Sequence, residues 1–131
     1  MTLQVLSWLN EVGPNEAALL MKLARDDPDG VDATYYILEQ QANRLQIWRC
    51  ADGLVLTQLL PGVVGKELFV RGIVGRGILR VLKEAAADLK KIGRSFGCVS
   101  VGGNAGRAGL KKLYDELGAS PVYTYYKMEI D

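Results

Sequence analysis

The sequence predicts an α/β fold with a mixed, largely antiparallel sheet flanked by helices, and three observations carry that expectation. Apolar β-like runs alternate along the chain with stretches of helical period. Two of those runs, Leu45 to Cys50 and Leu54 to Leu60, flank the turn Ala51-Asp52-Gly53 and so read as a hairpin. A third run, Lys66 to Val74, leads through glycines into a long amphipathic helix.

In order, Leu3 to Leu9 reads as a first strand. Pro14 suits a first helical turn, and Glu16 to Ala24 continue that helix. Asp26-Asp27-Pro28-Asp29-Gly30 is a turn cluster. Within Ala33 to Arg44, Thr34 to Ile37 favour a strand while Leu38 to Ala42 favour a helix; a short second helix is preferred. After the hairpin, Pro61 to Gly65 turn the chain into the Lys66 to Val74 strand. The long helix is predicted from about Arg76 to Ile92, with Ile78, Leu82, Ala85, Leu89 and Ile92 as its apolar stripe. Arg80, Lys83, Asp88 and Lys91 are expected to face elsewhere, and Gly93 to cap the C-terminus. Cys98 to Val101 form a short buried strand, and Gly102 to Gly106 a second glycine cluster. A last helix, about Arg107 to Leu117, and a closing strand, Pro121 to Ile130, complete the order β-α-α-β-β-β-α-β-α-β.

The segment Leu68 to Leu79 is the chemically informative one. A strand that passes through Gly72, Gly75 and Gly77 into a helix gathers free backbone N–H groups in one concavity. Those donors and the helix dipole favour phosphate, and glycines let the ligand approach the backbone. Gly72-x-x-Gly75-x-Gly77 is not the spacing of a dinucleotide fingerprint. Gly62 to Glu67 is too short for a Walker A loop, and Glu67 follows Lys66 where a hydroxyl should bind magnesium. An isolated glycine turn is equally consistent with a tight connection.

Composition narrows the classes. A chain of 131 residues that is 49% hydrophobic suits one folded domain, 1–131. Its net charge of +1 gives no reason to expect nucleic acid or membrane partners. No apolar run reaches the ~18 residues of a membrane span, and no signal-peptide pattern opens the chain. Cys50 and Cys98 lack metal spacing and read as reduced and mostly buried. With no histidine at all, His triads, His-ligated metals and a histidine general base are excluded, and no metal is expected.

These residues resemble the GCN5-related N-acetyltransferases, the acetyl-CoA-dependent superfamily. The resemblance spans nearly the whole chain by element order and is most specific from Leu54 to Gly118. The family's V-x-x-x-[QR]-x-x-G-x-[GA] is matched by Gly75 and Gly77, with Arg76 between them; Gly72 stands where Gln or Arg is expected, and Arg71 is a neighbouring substitute. The family's N-x-x-A-x-x-L-Y-x-x-x-G is similar to the stretch ending Leu113-Tyr114-Asp115-Glu116-Leu117-Gly118; Arg107 and Leu110 occupy the Asn and small-residue positions, and Asn104 comes three residues early. The C-terminus has room for about one and a half of the family's two closing strands, a trimmed form similar to some phage-encoded members.

The resemblance implies a fold in which the strand carrying Val70 splays from that carrying Val99, with the pantetheine arm of acetyl-CoA along the open edge. It implies cofactor contacts from Phe69, Val70, Arg71, Val74, Gly75, Arg76, Gly77, Ile78 and Asn104. The N–H of Phe69 or Val70 polarises the thioester carbonyl, and Tyr114 protonates the leaving thiolate. Glu67 is the candidate relay for the amine proton, with a solvated strand charge as its plain reading. Tyr114 also lies beside Leu110, Leu113 and Leu117, where a core tyrosine is equally expected. Arg76, Arg80 and Lys83 could meet the coenzyme 3′-phosphate or simply face solvent. Tyr123, Tyr125 and Tyr126 could line the acceptor cleft or a homodimer contact, with packing as the default. The expected activity is acetyl transfer to a primary amine (protein lysine, protein N-terminus or small amine) in the cytoplasm, or the host cytoplasm for a phage protein. The competing reading is an inactive binding or virion protein on the same fold.

Overall fold

The computed structural model describes residues 6–103, apart from residues 28, 52 and 62–64. Asn104, the last helix with Tyr114, and the closing strand with Tyr123, Tyr125 and Tyr126 lie outside the described residues. Within them the elements are β1 (Ser7–Trp8), α1 (Pro14–Arg25), α2 (Ala33–Gln41), β2 (Gln46–Cys50), β3 (Gly53–Leu60), β4 (Glu67–Gly75), α3 (Ile78–Ser95) and β5 (Ser100–Gly103), in the predicted order.

The five strands form one sheet in the order β1-β2-β3-β4-β5. Neighbours from β1 to β4 are antiparallel, and β4 and β5 are parallel. Alternation along the strands divides the apolar side chains between two cores. On one face Trp48, Val55, Leu68 and Val70 pack with Ala85 and Leu89 of α3. On the other, Ile47, Leu54, Leu56 and Val74 pack with Leu20 of α1 and Tyr36 of α2. A buried hydrogen-bond chain ties β2 to β3: the Trp48 indole donates to Thr57 Oγ1 at 2.9 Å, and that hydroxyl donates to Gln46 Oε1 at 2.9 Å.

Ala33 to Gln41 resolve as helix. Asp32 caps α2 by accepting the Tyr35 N–H at 3.0 Å. Packing of the fully buried Tyr36 overrides the β propensity of its neighbours. The stripe of α3 is confirmed at Ala85, Leu89 and Ile92, while the side chains of Ile78 and Leu82 lie outside the described ones. Asp88 departs from expectation. It is buried, because it flanks the stripe beside Leu89, and its Oδ2 accepts the Leu6 N–H at 2.9 Å. Gly93 does not end the helix. α3 continues to Ser95, and Gly97 takes the left-handed conformation just past it. Gly93 instead lies where α3 approaches β4 and β5: a Cβ there would stand 3.6 Å from Cys98 Cβ and 3.8 Å from Leu68 Cβ. The strand expected at Cys98 to Val101 lies two residues later, at Ser100–Gly103. Cys50 is buried and Cys98 half-buried. No described helix is long and apolar enough to cross a membrane.

Candidate functional site

Strand β4 organises the site. It pairs with β3 along its whole length, but with β5 only from Glu67 opposite Ser100 to Val70 opposite Gly103. Beyond Val70, among the described residues, the β5 side of β4 has no partner strand. The register with β3 shifts at the same place: Thr57 faces Val70 and Leu56 faces Gly72, leaving Arg71 as the extra residue of a β-bulge. A bulge inverts the alternation that follows it. Leu68 and Val70 therefore belong to the α3 core, and Val74 to the α1–α2 core.

The strand ends in the predicted glycine turn. Gly75 has φ 134°, and Gly77, the N-cap of α3, has φ 62° and ψ 46°. Side chains rarely adopt such dihedrals. Gly53 lies opposite Gly75, and a Cβ on it would stand 2.3 Å from the Val74 carbonyl oxygen, so β3 approaches the turn too closely for any side chain. Gly77 has no side chain to cap α3, so the helix's first-turn N–H groups have neither an intrahelical nor an N-cap side-chain acceptor. Among the described residues, the nearest atom to a Cβ at Gly77 would be Arg80 Cβ at 4.0 Å. Arg76 is exposed beside it, and Ile78 opens the helix. An 18-residue helix behind a glycine turn is suited to an anionic group such as a pyrophosphate.

The other sequence candidates are distributed along β4 and α3. Phe69 and Val70 occupy the last two rungs of the β4–β5 pairing. Glu67 is the first residue of β4, half-buried, and its carboxylate lies over Gly102: a Cβ at Gly102 would stand 2.6 Å from Glu67 Oε1. A Cβ at Gly72 would come within 2.8 Å of Leu23 Cδ1 on α1, so a longer side chain there requires Leu23 to shift. Arg80 pairs with Glu84 on the surface of α3. Asn104 and Tyr114 lie outside the described residues.

Arg71, expected beside the cofactor, has its guanidinium directed at the α1–α2 turn. It donates through Nε and Nη2 to Asp27 at 3.0–3.1 Å, and Nη2 also pairs with Asp29 at 2.9 Å. Nη1 reaches Gln58 Oε1 at 3.5 Å, and the Tyr35 ring lies 5.6 Å from the guanidinium carbon. The Tyr36 hydroxyl donates to Asp27 Oδ2 at 2.6 Å. Burial, and then the Asp27 charge, push the Tyr36 phenol well above its ordinary range. Asp27, Tyr36 and Gly53 were not among the sequence candidates. Their only sequence signals were an acidic turn, a helical aromatic and a hairpin glycine.

A cavity of about 300 Å³ opens at the other end of β3, lined by Glu39, Arg44, Gln46, Gln58 and Leu60 among others. It shares that sheet end with Glu67, which faces Leu60, and stands a strand length, roughly 24 Å, from the Gly53–Gly75 rung.

No protein-family model and no curated protein matches the chain. Solved structures do. A Trypanosoma brucei acetyltransferase is 19% identical with a TM-score of 0.67, over 95% of this chain and 98% of that one. A ribosomal-protein-alanine N-acetyltransferase from Brucella melitensis biovar Abortus is 22% identical with a TM-score of 0.65, over 88% and 91%. AAC(6′)-Iy, in complex with the bisubstrate analogue CoA-S-monomethyl-acetylneamine, is 16% identical with a TM-score of 0.67, over 95% and 97%. The fold is therefore that of the GCN5-related N-acetyltransferases.

Proposed function

We propose that residues 1–131 form one N-acetyltransferase domain, which moves acetyl from acetyl-CoA to a primary amine by direct attack. The observation that carries the reading is the Gly75–Gly77 turn of positive φ at the start of α3, whose N-cap residue supplies no side-chain cap. The likeness to AAC(6′)-Iy in complex with a coenzyme A conjugate supports the choice of donor. In this reading the backbone from Gly75 to Ile78 holds the pyrophosphate, with Val74 at the rim, and Arg76 meets a phosphate. The pantetheine arm lies along the β5 side of β4, with Asn104 among its contacts.

The chemistry then needs three contributions from the chain. The N–H of Phe69 or Val70 stabilises the oxyanion as the amine nitrogen bonds to the thioester carbon. Tyr114 gives its proton to the sulfur as the C–S bond breaks. Glu67 passes the proton lost by the amine to water. The acceptor is a protein lysine, a protein N-terminus or a small amine. It reacts only when neutral, and a lysine of pKa ~10.4 is mostly protonated at pH 7.

Calorimetric titration with acetyl-CoA tests the reading: saturable binding is expected, and its absence removes the proposal. Turnover of labelled acetyl-CoA with lysate acceptors should rise between about pH 6.5 and 9 as the amine loses its proton. Tyr114→Phe should lower kcat by roughly 10²–10⁴-fold with little change in KM for acetyl-CoA. Coenzyme binding without transfer to any amine would define a binding protein on the same fold, the reading favoured by Gly72 in place of Gln or Arg.

A further inference from the structure

Arg71 stands at the residue where two properties of β4 change together. Its register with β3 slips there, and its inward-facing side switches. Everything downstream, including Gly75 and the turn into α3, takes its position from this bulge. A bulge residue has no rung of its own on β3, so the ladder alone does not fix its geometry. What the structure supplies is a side-chain anchor. The Arg71 side chain is 12% exposed and Asp27 only 2%. The pair is forked and bidentate, extended by Asp29, and backed by the Tyr36 hydroxyl on the remaining lone pairs of Asp27. Asp27 is itself held in its turn, since its Oδ1 accepts the Asp29 N–H at 2.9 Å and its carbonyl the Gly30 N–H at 3.1 Å.

A buried ion pair of this kind adds little net stability compared with an apolar pair of the same volume. Its strength is directional: a forked guanidinium admits few geometries. We propose that Arg71 and Asp27 form a clamp between the α1–α2 turn and the β4 bulge, which holds the end of β4 that leads into the Gly75–Gly77 turn and so positions the coenzyme site. The two are positioning residues, and this role rests on the acetyltransferase reading given above. The anionic turn Asp26 to Gly30 thereby acquires a function beyond reversing the chain.

The test pairs hydrogen exchange with coenzyme titration on the full chain, using Arg71→Met, the milder Asp27→Asn, and Arg71→Lys. Arg49→Ala, which breaks the exposed Glu16 pair elsewhere, serves as the comparison. Each variant is measured below its own melting midpoint, so that Asp27→Asn reports if Arg71→Met does not fold. The clamp predicts at least tenfold faster amide exchange from Gly72 to Gly75 in Arg71→Met and Asp27→Asn, with Ile47 and Trp48 on β2 unchanged. It also predicts at least tenfold weaker acetyl-CoA binding in both, partial recovery of binding in Arg71→Lys, and wild-type binding in Arg49→Ala. Wild-type exchange at Gly72 to Gly75 in folded variants would overturn the clamp. Faster exchange with wild-type affinity would overturn the positioning role. If the unmodified protein binds no acetyl-CoA, the functional reading and the positioning role fall together, and exchange alone decides whether Arg71 holds the bulge.

Discussion

At the Gly75–Gly77 end of β4 the groups proposed to meet a ligand are backbone amides, on glycines whose positive φ angles other residues rarely adopt. At Arg71 the position is held by side chains: a guanidinium, two carboxylates and a phenol brought together from three segments. The first region carries first-turn N–H groups with no N-cap side-chain acceptor; the second is filled and its polar groups satisfy one another. A ligand can use the first without rearrangement, whereas the second can only hold the chain in place. On the reading proposed above, one strand separates recognition from positioning over a few residues.

The largest expected effect tests the first region. Gly75→Glu would place a carboxylate in the phosphate cradle and force φ 134° on a residue that avoids it. Acetyl-CoA affinity should fall by about 100-fold or more, near 3 kcal/mol, with the circular dichroism spectrum retained. Wild-type affinity in that variant would separate the glycine turn from coenzyme binding.

Gly53→Ala probes the support beneath the turn. Its Cβ meets the Val74 carbonyl at 2.3 Å, a backbone clash that a rotamer change cannot relieve. Unfolding in urea should show a loss of about 1–3 kcal/mol, as for other overpacked sites. Coenzyme affinity should fall as well, because Val74 leads directly into Gly75. A variant as stable as wild type would mean that the two strands can separate at this rung.

The filled region answers to alkali. Burial and Asp27 raise the Tyr36 phenol above its ordinary value of 10.0. The unfolded chain therefore loses this proton first, and the associated stability is complete below pH 10 and declines as pH rises beyond it. Melting midpoints measured from pH 8 to 11 should fall more steeply for wild type than for Tyr36→Phe. The smallest effect lies at exposed pairs. Hydrogen bonding from Arg44, together with its charge, lowers the Glu39 carboxyl below its usual 4.5, which is stabilising above that value and lost in acid. Because the pair is solvated, Glu39→Gln should scarcely alter the midpoint at pH 7. A large change there would place an energetic role outside β4.

The glycine turn was legible because its chemistry is local. Gly75 and Gly77 need positive φ, the helix that follows has an apolar stripe, and both are properties of neighbouring residues. The hairpin at Gly53 was legible for the same reason, but its closeness to Val74 was not, since that depends on strands being brought into register. Gly72 appeared in sequence as a departure from a motif. In the structure it is the place where Leu23 of α1 lies against the sheet. Asp88 was misassigned from periodicity and Gly93 from its suitability as a helix cap: the backbone of Leu6 draws the first inward, and the second lies inside a continuous helix where β4 and β5 approach.

By itself, the sequence determined the order of elements, the amphipathic α3, and the strand–glycine–helix segment suited to phosphate. Each of these rests on propensity, period or dihedral preference within about a turn of the chain. Only the tertiary structure decided that β4 carries a bulge, that its pairing with β5 reaches Val70, and that Arg71 belongs to Asp27. The partners of that ion pair are separated by 44 positions. No local rule selects one acid over another across such a distance; folding does, by burying the one carboxylate that meets the guanidinium in the required fork.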